Sequence, residues 1–320
     1  MAASLLERRL HFVVGKGGVG KTTVAGALAL TLARRGRRTL AVEMEPGGRL
    51  AALLGSETGD GPRVLHVDGR AALEEYLGLL IPVKRLLASI FSSKVYQYFV
   101  AAAPGLKELM TIGKIWYEAT REEDGRPVWD AIVVDAPATG HSLQYLRMPQ
   151  AARETFGTGL VQREATRITD LLRDPRTTAV HLVTLAEEMP VAETLETREQ
   201  LTGALGLPLG HVIVNRLHRR RFDPGLLERL RAAAKAAPAA ERGLLQCVAE
   251  RAAEESGWSD INAANLTRLR AGIVGAPLVE LPFFFVEEFG RGELEQLARL
   301  LDASTAGRAE APPRRRSRST

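Results

Sequence analysis

The chain has 320 residues, 45% of them hydrophobic but only 5% aromatic, which suits one large α/β domain with an aliphatic core. Its net charge is +5, yet residues 305–320 hold five arginines against one glutamate, so the body before them is nearly neutral and a general nucleic-acid-binding surface is not indicated. A single cysteine, Cys247, excludes an intrachain disulfide framework. With no apolar run of membrane-spanning length and no signal-like apolar core near the start, the sequence predicts a cytoplasmic protein.

The stretch from His11 to Leu30 organises the rest. Phe12, Val13 and Val14 read as a short buried strand. Glycines at 15, 17, 18 and 20 follow, and Val24, Ala25, Leu28 and Leu32 then recur at helical spacing. Strand, glycine loop and helix are the setting in which Gly15–Thr22, a G-x-x-x-x-G-K-T sequence, reads as a phosphate-binding loop. Glycine lets the backbone curl, so that the N–H groups of Gly17, Gly18, Val19, Gly20 and Lys21 can turn toward phosphate oxygens. The positive end of the following helix, with Thr22 and Thr23 in its first turn, adds to the cradle. Lys21 is expected to reach the β- and γ-phosphates, and the Thr22 hydroxyl to ligate Mg²⁺. The additional lysine, Lys16, gives G-K-G-G-V-G-K-T, which resembles the deviant Walker A motif of dimeric P-loop ATPases. In those proteins the extra lysine reaches across the dimer to the partner's nucleotide.

The second strand is expected over Thr39–Pro46, with Glu43 and Glu45 two apart at its carboxyl end and, if the strand persists, on one face. A third follows at Val64–Gly69. Residues 70 to about 123 read as mostly helical, with breaks at Pro82 and Ala103-Pro104-Gly105 and a generous apolar load. Asp130–Asp135 reads as a buried strand ending in a carboxylate, with Asp135 placed to hold Mg²⁺ through water. Residues 151–175 return to helix. Ala179–Leu185 and Gly210–Arg216 are further strands. Arg216 and His218–Arg221 form a basic cluster, read as a solvated turn. Residues 226–256 are helical by composition. Pro277–Pro282 is the last strand, and Leu294, Leu297, Ala298 and Leu301 stripe a terminal helix before a Pro/Arg-rich tail expected to be disordered.

Several of these stretches carry a common resemblance. Asp135-Ala136-Pro137-Ala138-Thr139-Gly140-His141 is similar to the second switch of the arsenical-pump and tail-anchored-protein-targeting ATPases, with Ala138 where that family has proline. There Gly140 would approach a γ-phosphate and withdraw after hydrolysis. Glu45 stands where the family has a water-orienting aspartate, one methylene longer. Asn215 matches the adenine-reading asparagine, and the segments AVHLVTLAEEMPVAETLE and FFFVEEFGRGELEQLARLL also look like the family's. The resemblance implies a doubly wound, mostly parallel P-loop sheet over residues 1–304, with a helical insertion at about 70–123 and 147–175. It also implies Mg²⁺-dependent ATP hydrolysis by a homodimer, with Lys16, Lys21, Glu45 and Asp135 catalytic.

Cargo is a separate question. One cysteine cannot form the multi-thiolate arsenite site of the pumps, nor the C-x-x-C zinc clamp of some targeting ATPases. The reading therefore favours a protein client or membrane-protein partner. The alternative is a spatial-organising ATPase of the division-site or partition type, supported by the terminal helix and its basic tail, which could touch an anionic membrane surface. A carboxylate-activating metabolic enzyme has no visible pocket motif, and an electron-transfer role lacks cluster-ligating cysteines.

Overall fold

The protein is described by a computed structural model covering residues 5–45, 47–55, 61–80, 93 and 105–306. Its first half runs β1 (Leu10–Gly15), α1 (Lys21–Arg34), β2 (Thr39–Glu43), α2 (Arg49–Leu54), β3 (Arg63–His66), α3 (Gly69–Leu80) and α4 (Leu106–Thr120). A minimal hairpin, β4 (Glu122–Glu123) and β5 (Arg126–Pro127), leads into β6 (Ala131–Ala138), α5 (Thr139–Thr155) and α6 (Leu160–Arg173). The second half runs β7 (Thr178–Leu185), α7 (Glu188–Glu199), a π-helical turn at Gln200–Ala204, β8 (Leu209–Leu217), α8 (Pro224–Ala236), α9 (Ala239–Gly272), β9 (Leu278–Pro282) and α10 (Arg291–Ala306).

Seven strands form one sheet in the order β3-β2-β6-β1-β7-β8-β9, and every neighbouring pair is parallel. All six residues of β1 are buried, as both-face coverage of a parallel sheet demands. Alternation along the strands sorts the core into two layers. Val13, Val133, Val183 and Ile213 pack with α1, α2 and α10 through Leu28, Leu50 and Leu294. Phe12, Val134, Leu182 and Val214 pack on the other face with Ile112, Leu146, Ile168, Val191 and Leu269, from α4, α5, α6, α7 and α9. The expected doubly wound α/β architecture is therefore present. β1 is flanked by β6 and β7, so its carboxyl end opens where the connections diverge, the place where such sheets bind ligands.

Three expectations need correction. The expected second strand stops at Glu43, not Pro46; the chain then turns through Gly47 and Gly48, both at positive φ, into α2. The helical stretch expected over 226–256 is two helices broken at Pro238, which holds Ala237 extended (φ −67°, ψ 147°). The stripe of α10 is not offered outward: Leu294, Leu297, Ala298 and Leu301 are all buried in the layer shared with α1. Burying a leucine fully is worth about 1.5–3 kcal/mol, so the core retains this face and the membrane alternative loses its helix. The expected break at Pro82, the residues Ala103 and Pro104, and the tail beyond Ala306 lie outside the described residues. Among the described residues no helix is long and apolar enough to cross a membrane.

Candidate nucleotide site

The loop between β1 and α1 has the backbone its glycines allow. Gly18 and Gly20 take φ of 85° and 88°, a region that side chains resist. Gly20 is fixed twice over, since a Cβ there would lie 2.4 Å from the Asn215 amide nitrogen. α1 then starts at Lys21 with no side-chain cap, which leaves its first-turn N–H groups for another acceptor. The exposed Gly17 and Gly18 open the loop to solvent, while Val19 beneath is buried and anchors it.

Three of the expected residues converge at the carboxyl ends of β1, β2 and β6. Register places Asp135 beside Val13 on one side and Glu43 on the other. The Asp135 carboxyl is pushed up to about 6, first by burial and then by the charges of Glu45 and Glu43; the Thr22 hydroxyl and Lys21 pull it down. Its Oδ1 is buried without a hydrogen-bond partner. Lys21 is half-buried, and burial depresses its pKa against the opposing pull of Asp135 and Glu45. Its Nζ donates to the Lys16 carbonyl at a long 3.3 Å. An orphaned carboxylate oxygen beside a threonine hydroxyl is a donor set suited to a hard divalent cation.

The acidic pair divides. Glu43 is buried and its Oε1 accepts from the Leu50 N–H at 3.1 Å, so it caps the start of α2. Glu45 is exposed on the turn beyond β2, close enough for its charge to raise both Lys21 and Asp135. They do not share a face, because the strand ends between them.

Asn215, at the end of β8, is buried, and its amide Nδ2 donates to the Val19 carbonyl at 2.9 Å. The next residue, Arg216, has φ 51° and reaches the Gly18 carbonyl at 3.4 Å. β8 thus braces the loop from beside. Gly140 is exposed in the first turn of α5, and His141 beside it is exposed as well. The basic cluster is largely paired: His218 with Glu255, Arg220 with Asp260, and Arg221 over the Phe285 ring at 4.4 Å.

Lys16 holds the least expected contact. Its Nζ donates to Glu193 Oε1 of α7 at 2.5 Å. Glu193 also lines a groove of about 1020 Å³ between α5 and α7 that contains Thr139 and Gly140. Glu193 lies in the family-like segment AVHLVTLAEEMPVAETLE, but nothing in the sequence tied it to Lys16, 177 positions away. A second, apolar cavity of about 210 Å³ lies among α3, α4 and α6, lined by Met110, Trp116, Val161 and Ile168. Tyr117, Phe156, Leu160 and Val161, of α4, α6 and the link preceding α6, are exposed.

Residues 8–163 match the model of a family described as anion-transporting ATPase. The chain is 38% identical over 230 residues to ATPase BagA of Mycobacterium tuberculosis, covering 68% of this chain and 67% of that protein. It is 26% identical over 235 residues to an arsenical pump-driving ATPase of Escherichia coli, covering 64% of this chain and 38% of that one. It is 27% identical over 145 residues to ATPase ASNA1 homolog 1 of Paramecium tetraurelia, covering 43% of each.

Proposed function

Because the chain is a nucleotide-binding ATPase that belongs to the anion-transporting ATPase family, we propose that it hydrolyses Mg²⁺-bound ATP as a nucleotide-switched homodimer and thereby handles a protein client. The observation that carries the chemical part is the buried, unpartnered Oδ1 of Asp135, set beside Thr22 and Lys21 below an uncapped helix start. In this reading the N–H groups of Gly17–Lys21 and the first turn, with Thr22 and Thr23, cradle the phosphates. Thr22 and Asp135 hold the cation, which when bound neutralises phosphate charge. Phosphoryl transfer asks the protein mainly for positioning and charge stabilisation. Lys21 supplies charge within the subunit, Lys16 supplies it from the partner, and Glu45 orients the attacking water from its exposed turn. Asn215 braces the loop through Val19 and meets the base with its remaining amide acceptor. Gly140 reports the γ-phosphate to α5.

The division of the chain belongs to the same reading. Residues 1–304 form one ATPase domain, and the helices within about 70–123 and 147–175 are its inserted part. The apolar cavity among α3, α4 and α6, with exposed Tyr117, Leu160 and Val161 nearby in sequence, supports a client of apolar character.

The test has two arms. ATP turnover should vanish on chelating Mg²⁺ and in Asp135→Asn, and a non-hydrolysable ATP analogue with Mg²⁺ should convert monomers to dimers by analytical ultracentrifugation. Metal-independent turnover, or a monomer at every nucleotide state, would sink the reading.

A further inference from the structure

Lys16 cannot serve a neighbouring subunit while its ammonium is held at home, and within a single subunit it is already held. The Lys16–Glu193 contact is short, 2.5 Å, and charge-assisted. Both side chains are 36% exposed, so water reaches the pair and the contact is reversible. An exposed ion pair is worth about 0–1 kcal/mol, which weights the held state by no more than about fivefold. That is strong enough to bias where the ammonium sits and weak enough for a polyphosphate to take it away.

The two ends of the contact differ in how firmly they are mounted. Glu193 rides on α7, which is seated in the core by buried Pro190, Val191, Thr194 and Thr197. Lys16 rides on a loop whose next two residues, Gly17 and Gly18, are exposed. Glu193 is therefore the fixed post and Lys16 the movable arm. The post also stands in the wall of the groove that begins at Thr139 and Gly140, so a movement at the start of α5 would take place beside the held lysine. Glu196 lines the same groove from the same helix but is not paired with Lys16.

We propose that Glu193 is a positioning residue for the ATPase reaction: it keeps the Lys16 ammonium on its own subunit and yields it to the partner's nucleotide when two subunits close. This rests on Lys16 acting in trans. It predicts that dimer assembly competes with the internal ion pair, and that removing the post makes assembly easier.

The experiment uses the full chain and three variants. Trace labelling of the nucleotide-free protein with acetic anhydride, read by peptide mass spectrometry against the exposed Lys235, measures how free Lys16 is. In Glu193→Gln, Lys16 should label about two- to fivefold faster than in wild type, whereas Glu196→Gln should match wild type and Glu193→Asp should fall between. The protein concentration giving half-maximal ATP turnover should drop by a similar factor in Glu193→Gln, with the KM for ATP unmoved. A purely structural role for Glu193 would not produce that split. Equal labelling in wild type and Glu193→Gln would overturn the proposal, and so would faster labelling without a shift in concentration dependence. The labelling contrast needs no dimer, so failure of the trans reading would show separately, in the mixed-subunit experiment below.

Discussion

Two polar clusters lie on one layer of the same sheet, a few residues apart, and they have opposite characters. Toward the amino ends, His11, His181 and His211 sit on β1, β7 and β8 with their rings stacked at 5.3 and 5.4 Å. The ring nitrogens of His11 and His181 are all hydrogen-bonded. The His211 backbone N–H donates to His181 Nδ1 at 3.0 Å, so the His181 proton is on Nε2 and donates to His11 Nδ1 at 3.1 Å. His11 then carries its proton on Nε2 and donates to the Arg8 carbonyl at 2.9 Å. Gly210 is there because a Cβ would lie 2.7 Å from the His181 ring. At the carboxyl ends, Asp135 has a buried oxygen with no partner and Lys21 makes one long bond. A buried polar group that is matched builds structure, whereas one left unmatched costs stability until a ligand arrives. The histidines are framework, and the aspartate end keeps the unmatched groups that the proposed nucleotide site would use.

The sharpest way to break this contrast is at the candidate nucleotide site. Lys16→Ala should lower kcat by about 10³-fold or more while ATP affinity changes little, because a cation supplied in trans acts on the phosphoryl transition state. Mixing supplies the decisive control. A Lys16→Ala subunit that binds ATP, paired with an ATP-blind subunit keeping its Lys16, should regain activity. If heterodimers form and no activity returns, Lys16 works in cis. Glu45→Gln should follow with a loss of about 10²–10⁴-fold in turnover and intact ATP binding, the range of a general-base or water-orienting group. Turnover within about twofold of wild type would remove Glu45 from the mechanism, and Glu43, committed to the α2 cap, would not replace it.

The candidate site could be proposed from sequence because its information is local. A glycine loop, a lysine and a threonine stand in one run of sequence, and a strand that ends in a carboxylate marks Asp135 without any long-range contact. The layers were legible too, since strand periodicity and apolar runs set which faces are covered. What sequence could not give was the partner of each polar group. Glu43 and Glu45 looked equivalent until the strand stopped between them and the α2 N-terminus claimed one. The α10 stripe looked available until α1 covered it. Glu193 and the histidines meet through register between strands and helices far apart in the chain, which no short pattern encodes.

The framework end can be broken with acid. Burial drives His11 down to about 3 from an ordinary 6.5, helped by the charges of Arg37 and Arg8, and drives His181 well below its ordinary value, with His11 and Arg8 adding to the effect. Protonating either ring would place a second donor against an existing one. Between pH 6.5 and about 3 the unfolded chain therefore binds histidine protons that the native state refuses. Stability is full above 6.5 and falls with decreasing pH, by about 1.4 kcal/mol per unit for each such histidine. Chemical denaturation at pH 7 and pH 5 should show a loss of about 2 kcal/mol from His11, with a further loss from His181 in the same direction. His181→Gln should flatten that slope, at the cost of stability at pH 7. An unchanged slope would show that the triad is not the acid-sensitive element.

Asp135 should do the reverse, and in an overlapping window. Its carboxyl moves up from 3.8 to about 6, so between these values the native state holds a proton that the unfolded chain has released. Stability from this group accordingly falls as pH rises across the window, and above about 6 the native protein carries a buried charge costing about 3 kcal/mol. Asp135→Asn removes the charge while keeping an acceptor, so the nucleotide-free variant should be more stable than wild type at pH 7.5, by about 1–3 kcal/mol. The advantage should shrink toward pH 4, where the wild-type carboxyl is protonated. Addition of Mg²⁺ with a non-hydrolysable ATP analogue should raise the wild-type Tm and leave the variant far less affected, reversing their order. A variant less stable than wild type without nucleotide would mean that the Asp135 charge is already compensated within the fold, and the contrast between the two clusters would collapse. A variant that is stabilised, yet responds to Mg²⁺ and the analogue as strongly as wild type, would keep the contrast but take the cation away from Asp135.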